Sequence, residues 1–391
     1  MERIEADLLI PGRGDPVLDG CVVIDGPTIT YAGPSASAPA TPGIDPVRAP
    51  VVMPGMWECH GHFWGITTPN IETLATLSPA VGILRAARDA RAALEAGFTS
   101  VREVGGYGVF LARAIEEGTI PGPTIYPSAG ILSQTGGHGD IHGLPLDQVA
   151  RIFEDHFGAS GLCDGPDDCR RAVRRQLRVG AKVIKVCASG GVMSEADHPI
   201  HQQFSAGELE AIVDEAARAE RAVAAHCHGK PGIMAALRAG VRTIEHGTYL
   251  DEEAAESMVE AGSVLVATRF IVEYLVADGR RAGMPDYAYR KIEAIADRHA
   301  EAMSIAREAG VTMALGTDMF MTGTMWGSNG RELGYLVDAG LTPSQAIEAA
   351  TANGPLTVGL QAPRSGILAE GYDADLIAVA ADPLADVTVL A

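Results

Sequence analysis

The sequence contains no run of eighteen or more apolar residues and no excess of basic residues. The first absence excludes a transmembrane helix, because such a helix needs about twenty predominantly apolar residues to span a bilayer. The second argues against nucleic acid and anionic membranes as partners, since 50 acidic residues outnumber 30 basic ones and the net charge is -20. We therefore expect neither kind of partner.

Two further absences concern export and cross-linking. The N-terminal segment MERIEADLLI lacks a basic stretch followed by an apolar one, so it does not resemble a secretory signal. Six cysteines are scattered over 391 positions, and this spacing does not indicate a disulfide framework. Only Cys163 and Cys169 lie close enough in sequence to pair within a loop. We expect a cytoplasmic protein with free thiols.

Short apolar runs dominate what the chain does contain. They alternate with amphipathic stretches over roughly 300 residues, and continuous apolar runs are typical of parallel strands that are buried on both faces. Eight strands that alternate with helices predict a TIM barrel. The predicted strands are VVMPGMW, FTSVREV, PTIYPSA, KVIKVCA, AVAAHC, RTIEHG, SVLVAT and TMALGTD.

Two of the predicted helices carry clear start signals. The stretch SAGELEAIVDEAARAE begins with Ser205 and has Glu208 three residues later, which is the spacing of a capping box. The stretch TPSQAIEAAT repeats the device with Thr342 and Gln345, and it has a proline at the first helical position. These signals predict helices that begin directly after Ser205 and Thr342.

Both chain ends have a different pattern, with short alternating segments and turn residues. The fold we predict is α/β: a (β/α)8 TIM barrel over residues 54–363 and a small β-sandwich-like domain. That domain would be built from residues 1–53 and 364–391.

The stretch MPGMWECHGHFWG places two histidines directly after an apolar run. Alternate residues of a strand point to the same side, so His60 and His62 could reach one point in space. That geometry suits a metal ion. The same pair also occurs as two surface histidines, or as core histidines bonded to the backbone.

Other metal-competent side chains follow the predicted strands. Active sites of TIM barrels lie at the carboxyl ends of the strands, where this sequence places lysine, histidine and aspartate. Each has an ordinary structural alternative: half of a salt bridge, a satisfied rim histidine, or a turn-forming aspartate. Together they favour a metal site. The six residues, at five strand ends, are His60, His62, Lys185, His226, His246 and Asp318.

The chain resembles the amidohydrolase superfamily, and within it the binuclear branch of Xaa-Pro dipeptidases (prolidases) and metallo-carboxypeptidase-like enzymes. The resemblance extends over nearly the whole chain. The motifs that carry it are GFTSVREVGG, TGGHGD, IKVCASGGVMS, FSAGELEAIVDEA, AAHCHG, TIEHGT, LGTD, NGREL and GILAEGYDADLIAV.

The resemblance implies two divalent metal ions. It implies these ligands: His60, His62 and Asp318 for the more buried metal, His226 and His246 for the second, and Lys185, carboxylated on its amine, as the bridge. Chemistry agrees, because a desolvated lysine near positive charge loses its proton and its neutral amine can react with CO2. Imidazole and carboxylate ligands fit zinc, with cobalt, manganese or nickel as alternatives.

The expected activity is that of a binuclear metal-dependent hydrolase. A metal-bridging hydroxide would attack an amide carbonyl, and Asp318 would be the catalytic acid–base group that passes the proton to the leaving amine. The expected substrate is a dipeptide, an N-acyl amino acid or a similar small amide. The alternatives are a carbamate, a urea or a xenobiotic amide, a deaminase reaction, or a barrel that has lost its chemistry.

Three residues are candidates for substrate contacts. The resemblance implies that His138, in TGGHGD, is a catalytic residue that hydrogen-bonds the substrate carbonyl or carboxylate, although it could simply pack the turn. His228 stands where several relatives carry a tyrosine that holds the substrate carboxylate. Arg269 is a candidate carboxylate anchor or a rim arginine paired with a local acid. Glu58 replaces the aspartate usual in this motif, and we expect it behind the ligands.

The substrate pocket is predicted to be apolar. The loop MFMTGTMWGSNG and Trp64 could line it, or they could pack against other loops or a subunit interface. The segments 131–160 and 270–290 are long enough to act as lids. We expect a small-molecule amide as the substrate and a homo-oligomeric assembly.

Overall fold

The computed structural model describes residues 1–391 and shows a mixed α/β fold, as predicted. The strands are β1 (Glu2–Leu9), β2 (Val17–Asp25), β3 (Thr28–Pro34), β4 (Val47–Pro54), β5 (Met56–Ile66), β6 (Phe98–Glu103), β7 (Thr124–Pro127), β8 (Ile131–Leu132), β9 (Val183–Cys187), β10 (Ala222–Cys227), β11 (Thr243–His246), β12 (Val264–Val266), β13 (Thr312–Met313), β14 (Met319–Met321) and β15 (Leu376–Val379).

The helices lie mostly between consecutive strands. They are α1 (Pro79–Glu95), α2 (Gly108–Glu116), α3 (Leu146–Phe157), α4 (Pro166–Val179), α5 (Ala206–Ala217), α6 (Lys230–Ala239), α7 (Glu252–Ala261), α8 (Arg269–Ala282), α9 (Asp286–Ala309), α10 (Arg331–Asp338) and α11 (Pro343–Ala350). Both predicted capping boxes are present, at the starts of α5 and α11. None of the helices combines the length and the apolar character that crossing a bilayer requires.

One sheet joins the two ends of the chain. Its five strands have the order β15-β4-β1-β2-β3, with β4 parallel to β1 and the other neighbours antiparallel. A small apolar cluster fills one side of it, made of Ala6, Leu9, Val22, Ile24, Ile29, Val52 and Leu368. The structure thus shows a single mixed sheet at the expected place of the small β-sandwich-like domain, and the division at residues 53 and 364 stays a prediction.

Of the eight predicted barrel strands, the first, VVMPGMW, is divided at Gly55 between β4 and β5. The other seven are present, and the barrel strands form two parallel sheets. One has the order β13-β12-β11-β10-β9-β8, and the other has the order β14-β5-β6-β7. The ladders do not join, so the barrel is not closed as a continuous sheet. Single hydrogen bonds cross the two gaps, from Lys182 N to Pro127 O at 2.7 Å and from Cys59 N to Leu315 O at 2.9 Å.

The last predicted strand, TMALGTD, is the one that differs most. Its ladder ends after Met313, and the chain then turns towards β5. Gly316 makes this close approach feasible, because a Cβ there would lie 2.9 Å from the backbone nitrogen of His60. The end of this segment meets the middle of β5, where Asp318 N donates to His60 O. The six cysteines are free and buried.

Candidate metal centre and active-site cavity

The structure brings all six metal-competent side chains to one cavity. His226 and His246 lie at or next to the carboxyl ends of their strands, as the sequence predicts, whereas His60, His62 and Lys185 lie within strands. Their positions are His60 and His62 on β5, Lys185 on β9, His226 on β10, His246 at the end of β11, and Asp318 just before β14.

The first group of ligand atoms belongs to His60, His62 and Asp318, and these atoms lie within 4.8 Å of one another. Asp318 Oδ1 is 3.2 Å from His62 Nε2 and 3.6 Å from His60 Nε2. Asp318 has a φ of 58°, which non-glycine residues rarely adopt. The hydrogen bond from its backbone nitrogen to His60 O, 2.7 Å long, holds it there.

The second group has three histidines, His226, His228 and His246, whose ligand atoms also lie within 4.8 Å of one another. The rings of His228 and His246 are stacked, with centroids 4.9 Å apart. His228 is the member that the sequence placed with the substrate-binding residues. Its position beside the other two permits contact with either a metal or a substrate.

Lys185 lies between the two groups and is almost fully buried. Its Nζ is 3.3 Å from His60 Nε2. Burial lowers the pKa of Lys185, because the low-dielectric interior disfavours the charged ammonium. A neutral amine at this point is the form that can be carboxylated.

Each histidine has one ring nitrogen fixed by a partner outside the group of candidate ligands, which turns the other nitrogen towards that group. The partners of Nδ1 are Glu245 for His60, the Gly105 carbonyl for His62, Thr248 for His228 and Thr268 for His246. His226 differs, since its Nε2 lies 3.2 Å from the Gly190 carbonyl and leaves Nδ1 free. Such partners orient metal-binding imidazoles.

The charge state of the histidines suits a cation. Burial lowers the pKa of His60 to about 4 and that of His228 to about 3. It lowers the pKa of His226 and His246 well below the ordinary value. Neutral imidazoles are the form that binds metals. The donor set of imidazoles and one carboxylate, with a buried lysine beside them, therefore fits divalent metal ions.

A buried ion pair supports His60 from behind. Arg102 Nη2 contacts both oxygens of Glu245, at 2.8 and 2.7 Å, and Glu245 Oε2 accepts a hydrogen bond from His60 Nδ1 at 2.6 Å. Burial alone would raise the pKa of Glu245, but Arg102 holds it well below its usual range. This pair was not predicted from the sequence. The only signal in the sequence was that Arg102 and Glu245 are charged residues within the predicted strands FTSVREV and RTIEHG.

Glu58 lies behind the ligands, as the sequence predicts. One oxygen accepts hydrogen bonds from the backbone nitrogens of His60 and Thr317, at 2.9 Å each, and the other accepts from Thr317 Oγ1 and Asn329 Nδ2 at 2.7 Å. Glu58 thereby ties β5 to the loop that carries Asp318. Burial raises the pKa of Glu58 to about 7 despite these hydrogen bonds.

The three substrate-contact candidates have different surroundings. His138 lines the cavity, and its ring centroid is 4.2 Å from that of His226. His228 also lines the cavity. Arg269 does not: its guanidinium pairs with Glu273 at 2.5 Å and donates to the Ala296 carbonyl at 2.6 Å. These contacts agree with the alternative interpretation, an arginine paired with a local acid, and the role of Arg269 as a carboxylate anchor stays an untested prediction.

The cavity has a volume of about 1160 Å³, including its open mouth, and its walls are mainly apolar. Trp64 and Phe320 line it, as predicted, but the other apolar residues of the MFMTGTMWGSNG loop pack inside the protein. Both candidate lid segments contribute walls. The additional wall residues from α3, α8 and α9 are Phe153, Phe157, Ile271, Val272, Leu275 and Ile292.

Comparison with known proteins agrees with this geometry. The pattern of the amidohydrolase family matches residues 51–391. The chain is 46% identical to an ochratoxinase of Aspergillus niger over 402 residues, covering 99% of this chain and 82% of the relative. This chain belongs to the amidohydrolase family.

Solved structures of relatives give the same result for this amidohydrolase. A crystal structure of A. niger ochratoxinase superimposes with a TM-score of 0.93 at 44% identity, covering 100% of this chain and 91% of that one. A crystal structure of a prolidase complexed with N-methylphosphonate-L-proline superimposes with a TM-score of 0.91 at 34% identity, covering 100% of this chain and 95% of that one. The prolidase-like branch and a TIM-barrel-type domain are thereby confirmed.

These relatives also confirm the general activity. The amidohydrolase is an enzyme, a metal-dependent hydrolase that cleaves an amide C–N bond. Family membership and the two histidine-rich groups together indicate divalent metal ions as cofactors.

Proposed function

We propose that this amidohydrolase is a binuclear zinc enzyme that releases an apolar or aromatic amino acid from an N-acyl amino acid or a small dipeptide. The observation that carries the proposal is the meeting of six ligand-type side chains in one apolar cavity. The proposed ligands are His60, His62 and Asp318 for one metal, His226 and His246 for the second, and carboxylated Lys185 for both.

Lys185 has the surroundings that carboxylation requires. Its amine is buried, and the ring nitrogen of His60 is its only hydrogen-bond partner. The neutral amine would attack CO2 and lose one proton, which leaves a carbamate anion in place of a cation. That anion can meet two positive ions where an ammonium cannot.

Asp318 is the proposed proton carrier of the reaction. Two bound metal ions would supply an activated water and polarise the substrate carbonyl. Burial would raise the pKa of Asp318, but His60 and the hydrogen bond with His62 hold it below the ordinary value. Asp318 is therefore an ionised acceptor at neutral pH, and it would take a proton and deliver it to the leaving amine.

The cavity walls support an apolar substrate with at most one carboxylate. No arginine lines the cavity, and Lys185 is its one lysine. Recognition of a carboxylate or a carbonyl would therefore involve His138 and His228. The names of the relatives point to ochratoxin and to proline-containing peptides, and both belong on a substrate panel for this chain.

A hydrolysis panel tests the substrate class. It compares N-acetyl-phenylalanine, its carboxamide, N-acetyl-arginine, a Xaa-Pro dipeptide, ochratoxin and an aryl carbamate. We expect the aromatic carboxylates to give the highest kcat/KM. Their advantage over the carboxamide should be lost in His228→Ala and kept in the matched control Arg269→Ala, whose guanidinium is outside the cavity.

Two outcomes would redirect the proposal. Faster hydrolysis of N-acetyl-arginine would contradict the apolar substrate class. A carbamate preferred over every amide would favour the alternative, a hydrolase of non-peptide C–N substrates, which the lack of a cavity arginine also permits.

Two structural expectations remain as proposals. The sheet formed by both chain ends and its separate apolar cluster support a small β domain of residues 1–53 and 364–391 beside a catalytic domain of residues 54–363. We also propose a homo-oligomer. Light scattering during size-exclusion chromatography checks it, and a mass of 40.8 kDa would mean a monomer.

A further inference from the structure

The ring of His138 is closely packed. It stacks on His226, with centroids 4.2 Å apart and the planes inclined by 24°. Gly191 also lies against it, since a Cβ at Gly191 would be only 2.1 Å from His138 Cε1. No side chain larger than glycine leaves room for the ring there. A loop histidine that only packed a turn would not need a glycine so close to its ring.

A serine and an aspartate hold the edge of the same ring. His138 Nδ1 is 2.8 Å from Ser194 Oγ, and Ser194 Oγ is 2.5 Å from Asp197 Oδ1. A hydroxyl has one proton to donate, and a carboxylate can only accept. Ser194 therefore donates to Asp197 and accepts from His138. Neutral His138 carries its proton on Nδ1, and Nε2, which has no partner in the protein, remains for the cavity.

The backbone of His138 is tied to the same aspartate. Gln203 accepts a hydrogen bond from His138 N at 3.0 Å through Oε1 and donates to Asp197 Oδ2 at 3.0 Å through Nε2. Asp197 Oδ2 also accepts from Gly191 N at 3.1 Å. One carboxylate thus fixes the ring edge of His138, its backbone and the glycine that it packs against.

Helix α9, which forms part of the cavity wall, also contacts the hydrogen-bond network of His138, Ser194 and Asp197. Lys291 Nζ donates to the carbonyl oxygens of Ser194 and Asp197, each at 2.6 Å. It also lies 3.3 Å from Asp197 Oδ1, and both side chains are largely buried. The next residue, Ile292, lines the cavity. The wall that would contact substrate and the network behind His138 are therefore parts of one unit.

We propose that Asp197, acting through Ser194, is a positioning residue that holds His138 with Nε2 facing the scissile amide, and that Lys291 fixes this pair. The inference rests on the proposed role of His138 in substrate contact. Ser194, Asp197 and Lys291 do not contact the substrate themselves. Removal of the pair should leave His138 present but with neither ring nitrogen fixed by a hydrogen bond.

A double-mutant comparison tests the proposal in the zinc-loaded enzyme. Ser194→Ala should lower kcat for N-acetyl-phenylalanine by about 10- to 100-fold, the usual loss when a residue that orients a catalytic group is removed. KM should change less. Ser194→Thr should restore most of the rate, because it keeps the hydroxyl. In a His138→Ala background, Ser194→Ala should cause no further loss, since it acts through His138 alone.

A second readout does not depend on activity. Nitrogen NMR of ring-labelled histidine, assigned with the His138→Ala protein, should show a proton on Nδ1 of His138. Ser194→Ala should change that signal and leave the other histidines and the zinc content unchanged. Ser304→Ala, on the outer part of α9, is the matched control and should leave both readouts as in the parent.

Failure of the positioning pair and failure of the contact between His138 and substrate give different results. An equal loss from Ser194→Ala in both backgrounds, or a proton on Nε2, overturns the positioning pair. If His138→Ala keeps full activity, the proposed contact between His138 and substrate is wrong, and the NMR signal still decides whether Ser194 fixes the ring.

Discussion

At the scale of single residues, part of the site could be predicted and part could not. The convergence of His60 and His62 follows from the alternation of side chains along a strand. The placement of His246 and Asp318 depends on positive φ values of 69° and 58°, which surrounding contacts impose. The Arg102–Glu245 pair could not be predicted either, because a charged residue inside an apolar run gives no information about which residue it pairs with.

Asp318→Asn should reduce kcat by more than about three decades, since the change removes a proton acceptor and disturbs a proposed metal ligand. Asparagine keeps the shape of the side chain, so the melting temperature should change little. Steady-state kinetics and thermal melting check both parts. Retention of most activity would assign the proton transfer to another group, with His228 the next candidate in the cavity.

Glu245→Gln should weaken zinc binding by about 10- to 100-fold, because the partner that orients His60 loses its charge. The change also leaves Arg102 buried without a counter-charge, which should destabilise the fold by about 3–5 kcal/mol. Zinc titration against a competing chelator and urea unfolding measure the two effects. Glu273→Gln, which alters a half-exposed ion pair, is the control and should change neither.

Lys185→Ala should abolish activity, because the proposed bridge between the metals is lost. Short-chain carboxylic acids should restore part of the activity by occupying the place of the carbamate. Assays with and without added acetate or propionate measure this. An active Lys185→Ala enzyme without additives would remove Lys185 from the bridge.

At the scale of elements, periodicity predicted where strands and helices lie better than where they end. The capping boxes of α5 and α11 are local signals, and both helices begin where the sequence indicates. Strand β13 is shorter than its apolar run because Gly316 lets the chain bend against His60. Arg269 begins α8, and Glu332 accepts its backbone hydrogen bond at 2.8 Å. That packing removes Arg269 from the cavity, and no local pattern predicts it.

Helix α8 should determine the preference for apolar substrates. Leu275→Ala removes part of the cavity wall, so KM for N-acetyl-phenylalanine should rise several-fold while that for N-acetyl-alanine changes little. The zinc content should stay the same. Parallel kinetics with the two substrates measure the difference. An equal effect on both would mean that the aromatic group binds elsewhere in the cavity.

At the scale of the whole molecule, the sequence predicted a barrel with strand-end chemistry and a sheet made from both chain ends. The pairing of β15 with β4 could be anticipated only in part, because residues 51–54, which pair with β15, belong to the run predicted as the first barrel strand. The absence of strand pairing between the two barrel sheets could not be anticipated, since it depends on how the ends of β7, β8 and β13 pack. The proposed function depends on metal binding by both groups of ligands.

Metal content tests that claim most directly. The protein, stripped with a chelator, reloaded with zinc and passed through a desalting column, should retain about two zinc ions per chain by elemental analysis. Two ions that are lost together with activity on chelation, and return with it on reloading, would agree with a binuclear site. One ion or none, in a protein that hydrolyses an amide at full rate, would contradict the account.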